Sequence, residues 1–295
     1  MTAPTDLDPT ALRSQSRRRA RAARPDFLRV EVERVMLEKL APVRLEPRRV
    51  LDAGCARGAS LLPLRQRFPG AELLGLDASA AALEDLARRL APARSGLLAR
   101  LRRMREPSVA TLIAAELDRL PLAAASADLI WSALALHWSP RPEAQIAEWY
   151  RVLRPQGLLC FSCLGVDTLR ELRGLGARMM EFPDMHDVGD LLVSQGFAEP
   201  VMDTERLRVT WRDADTLLAE VRAWGGNALK GRFRGLLTPR HRHEWLAAIE
   251  TLRGNDGLIG LSVEIIYGHA WCPPTKKLPG GLAPLQFHPR PGARG

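Results

Sequence analysis

The sequence predicts a doubly wound α/β fold: a mostly parallel seven-stranded sheet with helices on both faces and a small helical lid. Three observations carry this. Short apolar runs, among them Val50–Ala53, Thr111–Ala115, Ala127–Ser132 and Gly157–Ser162, alternate with stretches of helical spacing at the pitch of βαβ units. Two longer strand-like runs, Val201–Thr210 and Leu261–Trp271, close the pattern. A chain of 295 residues that is 46% hydrophobic can bury one full core with an appended subdomain.

The elements follow in order. Residues 1–25 crowd Arg13, Arg17, Arg18, Arg19, Arg21 and Arg24 together, and like charges at that density repel and need solvent, so this stretch reads as a disordered basic arm. Asp26 caps a helix over Phe27–Leu40, with Phe27, Val30, Val35 and Leu37 among its apolar positions; Pro42 and Pro47 end it. Val50–Ala53 is a buried strand, residues 54–58 a tight loop, Ala59–Phe68 a helix, and Ala71–Leu76 a second strand ending on Asp77. Ala80–Leu90 is an Ala/Leu/Arg helix, and residues 91–110 read as an inserted basic amphipathic segment.

The third and fourth strands bracket Glu116–Pro121 and lead to a helix over Pro142–Leu153 and the fifth strand. Asp187–Ser194 is a short helix closed by Gly196. Asp213–Trp224 is helical up to Gly225-Gly226, and Thr238 with Pro239 supplies an N-cap and N1 for a helix reaching about Arg253. The domain thus spans 26–272, with the lid at 211–257 over the crevice at the carboxyl ends of the strands. Residues 273–295, rich in Pro and Gly, read as a disordered tail.

A net charge of +9 and a pI of about 10.2 predict an acidic partner. Four unevenly spaced cysteines make no disulfide framework, which points to a reducing cytoplasm. No apolar run has the length of a membrane span, and the N-terminus lacks the apolar core of a secretory signal; Asp6 and Asp8 argue against a transit peptide.

The chemistry concentrates in Arg49–Ser79. Strand, small-residue loop, helix, strand and terminal acid form a βαβ unit suited to a nucleoside. The glycines permit close approach of the backbone. Asp77, at the tip of the second strand, lies where a ribose presents two hydroxyls. The loop glycines are Gly54 and Gly58, with Ala56 between them and Asp52 ahead. An acid beside a pyrophosphate is poorly placed; beside an ammonium it is well placed. This favours S-adenosylmethionine over a dinucleotide, with a ligand-free packing motif as the third reading.

The phrases LDAGCARGAS, LPLAAASADLIWSALALHW, EWYRVLRPQGLLCFSCLGVDTLRELR and FPDMHDVGDLLVSQGFAEPVMDTERLRVTW resemble class I S-adenosylmethionine-dependent methyltransferases, whose fold is Rossmann-like. More closely they resemble the malonyl-acyl-carrier-protein O-methyltransferases of biotin synthesis. The resemblance implies methyl transfer from S-adenosylmethionine to the free carboxylate of a malonyl thioester, with an acidic acyl carrier protein (or CoA) as carrier and neither nucleic acid nor membrane span involved.

It also implies roles: Asp52, Gly54, Ala56 and Gly58 at the methionine end, Asp77 on the ribose, Ala78, Glu116 and Leu117 around the adenine, and Ser132 and Ala133 beside the methyl donor. His137, just past the fourth strand at the crevice, is a candidate substrate contact, with a surface ring over the lid as the other reading. No general base or metal is implied. Ala56 and Ala133 depart from the family's Gly and Asn, and no Tyr precedes Tyr150. Two alternatives stay open at this point. One is a repurposed or impaired paralogue such as the related hydroxylase-like assembly factor of respiratory complex I, and the other is a non-catalytic binding protein.

Other tempting residues read as structural. Cys160 and Cys163, at i and i+3 of a strand, face opposite sides and read as core thiols. Asp184, His186, Asp187 and Asp190 read as capping and first-turn charge. His241 and His243 read as solvated, and Trp211, Trp224 and Trp245 as packing for the lid.

Overall fold

The chain turns outward and then doubles back around its first strand. In a computed structural model that describes residues 7–21, 27–90, 109–224, 227–232 and 238–275, one seven-stranded sheet runs in the order β3-β2-β1-β4-β5-β7-β6. The strands are β1 (Arg49–Ala53), β2 (Glu72–Asp77), β3 (Thr111–Ala114), β4 (Ala127–Ser132), β5 (Leu153–Leu164), β6 (Ala198–Trp211) and β7 (Ile259–Trp271). β1 to β5 are parallel, and β7 runs antiparallel between β5 and β6. The order reverses between β1 and β4, which opens a crevice at their carboxyl ends.

Alternation along the strands builds two cores. Val50, Leu73, Trp131 and Cys160 face α2 (Phe27–Leu40), α3 (Leu61–Arg67) and α4 (Ala80–Leu90). Leu51, Ile130, Phe161 and Cys163 face α5 (Pro142–Val152) and α7 (Met185–Ser194). Cys160 and Cys163 therefore lie on opposite faces, and burial pushes both thiols up to about 12. A third apolar cluster joins α6 (Arg170–Gly174), α8 (Ala214–Ala223) and α9 (Pro239–Glu250) to the adjoining ends of β6 and β7, with Trp211 buried in it and Trp224 and Trp245 against it. Helices α8 and α9 fall within 211–257, at the carboxyl end of β6. The helix caps fall where the sequence put them: Asp184 accepts from the His186 N–H at 2.8 Å and Thr238 from the His241 N–H at 3.2 Å. Among the described residues no cluster could hold a metal ion, and no helix is long and apolar enough to cross a membrane.

Two expectations differ from the structure. Pro9–Arg21 is helical (α1), although its arginine density predicted an unstructured arm. The helix has an anchor: Asp8 accepts from the N–H groups of Thr10 and Ala11, its own N–H reaches the Ala228 carbonyl at 2.8 Å, and its carboxylate meets Arg232 at 2.8 Å. Leu7 pairs with Leu229, and α1 packs on α4. In α2 the buried stripe is Leu28, Arg29, Val32, Glu33, Met36 and Leu40, while Phe27 and Val30 are exposed. Smaller differences are extensions: β5 begins four residues early, at Leu153, and β6 spans 14 residues as the edge strand. Residues 1–6, Asp26, the insert at 91–108, Gly225-Gly226 and the tail from 276 lie outside the described residues.

Candidate functional site

The carboxyl end of β1 turns sharply because its backbone is caught from two sides. The N–H groups of Gly54 and Cys55 both donate to the Leu76 carbonyl, at 2.7 and 3.0 Å, and the Gly58 N–H closes back on the Cys55 carbonyl at 2.7 Å. Gly54, Ala56 and Gly58 all take positive φ, at 88°, 45° and 71°. At two of these positions a Cβ would collide: on Gly54 it would lie 2.6 Å from Ala135 Cβ, and on Gly58 it would lie 2.5 Å from Leu86 Cδ1, the movable end of that side chain. Ala56 keeps the left-handed turn a glycine would make, at a steric cost of about 1–2 kcal/mol.

Asp77 organises the elbow. Its Oδ2 accepts from the Ala56 N–H at 2.9 Å and its Oδ1 from the Ser79 N–H at 2.8 Å. A carboxylate has about four acceptor positions, so these two bonds leave capacity for hydroxyl donors, and the residue is only half-buried.

Asp52 is different. It is 1% exposed, Ser60 Oγ donates to its Oδ2 at 2.5 Å, and its buried Oδ1 has no hydrogen-bond partner. Burial pushes its carboxyl up to about 7; Arg29 opposes that rise, while Glu33 and Asp77 add to it. The buried guanidinium of Arg29 pairs with Glu33 at 2.7 Å and donates through Nη2 to the Gly54 carbonyl at 2.7 Å.

The other expected residues converge on the same edge of the sheet. Leu117, half-buried, reaches the space beside Gly54, as does Ala135 after β4. Ala78 and Glu116 are exposed beside them in sequence. Ser132 is buried with its hydroxyl committed to the Ala53 carbonyl at 2.7 Å, so it ties β4 to β1, and Ala133 is fully buried. His137 is buried: its Nδ1 accepts from the Leu164 N–H at 3.2 Å, and its ring lies 5.3 Å from Trp138 and 5.8 Å from Phe182. That acceptor role leaves the proton of the neutral ring on Nε2.

Sequence reasoning did not find Arg29, Glu33, Ser60 or Ala135. A signal existed for the first two. Leu28, Val32, Met36 and Leu40 repeat every fourth residue, and Arg29 and Glu33 sit one step on, at the i,i+4 spacing of an ion pair.

The chain has known relatives. A family model described as a methyltransferase domain matches residues 51–161, which run from within β1 into β5. A malonyl-acyl-carrier-protein O-methyltransferase of Laribacter hongkongensis is 41% identical over 278 residues, covering 90% of this chain and 91% of its own. The chain belongs to the malonyl-acyl-carrier-protein O-methyltransferase family. A second member, from a Methylovorus strain, is 40% identical over 274 residues, covering 90% of this chain and 89% of its own. Both alignments extend well beyond the 111-residue methyltransferase match. The family resemblance read from the phrases between Leu120 and Trp211 is thus borne out. Among solved structures, the YcgJ protein of Bacillus subtilis superposes with a TM-score of 0.56 at 13% identity, covering 82% of this chain and 98% of its own, a likeness of fold.

Proposed function

We propose that this protein transfers a methyl group from S-adenosylmethionine to the free carboxylate of a malonyl thioester. The carrier is an acyl carrier protein, with malonyl-CoA as the smaller alternative, in the pimelate branch of biotin synthesis. The observation that carries this reading is identity of 40% or more, over nine-tenths of the chain, to two proteins named for that reaction.

The residues present suit such a cofactor. A buried carboxylate oxygen without a partner, on Asp52, is an acceptor waiting for a donor such as an ammonium. The elbow at Gly54, Ala56 and Gly58 keeps the backbone close, and Asp77 has capacity for ribose hydroxyls. Ala78, Glu116 and Leu117 would border the adenine, Ser132 and Ala133 would wall the methyl end, and His137 would touch the substrate. When bound, S-adenosylmethionine supplies an electrophilic methyl on a cationic sulfur.

The chain's task is then to align and to exclude water. A malonyl carboxylate is already ionised near pH 7, so no residue need take a proton from it. Holding the reacting atoms in line lowers the entropic part of the barrier. The charge of +9 suits an acidic carrier protein.

The test is direct. Purified protein should methylate malonyl-loaded acyl carrier protein, and its gene should rescue a biotin auxotroph lacking that methyltransferase. S-adenosylhomocysteine should raise the melting temperature. Failure of rescue with a clear thermal shift would move the acceptor elsewhere. No shift at millimolar ligand would leave a binding protein with a vestigial crevice.

A further inference from the structure

Beneath the elbow lies a group of charges that nothing above uses. Arg29 and Glu33 stand one helical turn apart on the inward face of α2, with side-chain exposures of 6% and 4%. Paired charges that deep are rare in a core because each must be stripped of its water. Hydrophobic side chains would fill this stripe of α2 at less cost, as Leu28, Val32 and Met36 do. The pair is placed where it meets the site: Arg29 Nη2 donates 2.7 Å to the carbonyl of Gly54, the residue whose backbone must hold φ 88° against Ala135. The same guanidinium is the main positive influence on Asp52, two residues back in the chain.

We propose that Arg29 is a positioning residue of the methyl-transfer site: it orients the loop peptide at Gly54 and supplies the counter-charge for Asp52, while Glu33 aligns the guanidinium. The inference rests on the reading that this elbow holds the methionine end of the cofactor. Charged or titratable groups face Asp52 from each neighbouring element: Arg29 and Glu33 from α2, Asp77 from β2 and the Cys55 thiol from the elbow, with Ser60 donating from before α3. Arg29 is the cation of that set. Without it, the Ser60 hydrogen bond is left to oppose burial and two nearby carboxylates, and the residue holds its proton to higher pH. A protonated Asp52 offers an ammonium far less than a carboxylate does.

Calorimetric titration with S-adenosylhomocysteine between pH 6 and 8.5 tests this. The quantity read is the ratio of Kd in a variant to Kd in the wild type at each pH, which cancels the titration of the ligand itself. Arg29→Gln should weaken binding about tenfold at pH 6.5, and the ratio should shrink severalfold by pH 8.5. Arg29→Lys keeps the charge but loses the two-pronged donor, so its ratio should exceed one and stay flat. Glu33→Gln should tilt the ratio the opposite way.

Because the single Gln variant removes the Arg29–Glu33 ion pair while keeping the Glu33 charge, the double variant Arg29→Gln/Glu33→Gln provides a neutral pair of similar shape. Its ratio should slope in the same sense as Arg29→Gln, less steeply, since Arg29 outweighs Glu33 at Asp52. A flat ratio in both Gln variants, with the wild type binding normally, would reduce Arg29 to a packing role and overturn the proposal. If the wild type itself does not bind, the cofactor assignment fails first and the proposal with it.

Discussion

The Ala56 N–H donates to Asp77 Oδ2 at 2.9 Å, so the loop after the first strand is tied to the tip of the second. One carboxylate thus closes the elbow and flanks the crevice. The residue in the position of the family's middle glycine takes part in this tie, and its backbone still turns left-handed.

Asp77→Ala should therefore damage binding more than a lost ribose contact would suggest. Hydrogen bonds to a charged group contribute about 1.5–3 kcal/mol each. Loss of roughly 10- to 100-fold in affinity for S-adenosylhomocysteine is expected by calorimetry. An unchanged Kd would remove Asp77 from the site.

Ala56→Gly should leave the chain equally stable or stabilise it by up to about 1 kcal/mol, because relief of the positive φ exceeds or balances the added freedom of the unfolded chain. Gly54→Ala should do the reverse. A strained φ and a 2.6 Å encounter with a rigid Ala135 methyl together cost about 2–5 kcal/mol. Denaturant unfolding of the two variants side by side reads both, and a stability loss above 1 kcal/mol in Ala56→Gly would contradict the strain.

Asp52 governs a pH dependence of the ligand-free fold. Its carboxyl is pushed up to about 7 by burial, against about 4 for an exposed aspartate. The folded chain then keeps a proton that the unfolded chain releases. That contribution to stability is complete below about pH 4 and is lost as the pH climbs to about 7. Asp52→Asn has no proton to lose, so it should gain on the wild type across that window by on the order of a few kcal/mol, and the gain should level off above it. Unfolding midpoints at pH 4.5, 6 and 8 check this; a pH-independent difference would count against a buried, protonated Asp52.

Asp8→Ala should release α1. The Asp8 carboxylate caps the helix and pairs with Arg232, whose hydrogen bond is the first cause holding it below the usual carboxylate range, while the main-chain bond to Ala228 survives the substitution. Hydrogen exchange should quicken at residues 10–13 and 228–232 while the central strands stay protected. Unchanged exchange at both segments would mean the latch does not hold them.

Much of this was legible in the chain. The strand–elbow–strand unit with Asp52, Gly54, Gly58 and Asp77 could be read directly, because φ-permissive residues and a strand-tip acid are local features. The opposite facing of Cys160 and Cys163 followed from the two-residue period of a strand. The buried face of α2 was only partly legible: Leu28, Val32, Met36 and Leu40 mark it, but Phe27 and Val30 turn out and polar Arg29 and Glu33 turn inward. What receives Arg29 there is a carbonyl 25 residues away, at Gly54. The helix at Pro9–Arg21 was hidden for the same reason: its anchor, Arg232, lies 224 positions along the chain from Asp8.

The strand order has a consequence for biosynthesis. Among the described residues β7 is the last strand made, yet it sits between β5 and β6, which have no ladder with each other. Until Ile259–Trp271 leaves the ribosome, the nascent polypeptide carries an open seam, with one flank of β5 and the whole 14-residue β6 lacking a neighbour. Bare strand edges recruit other chains. A stop codon just before Ile259 should thus yield inclusion bodies rather than a slightly shortened soluble product.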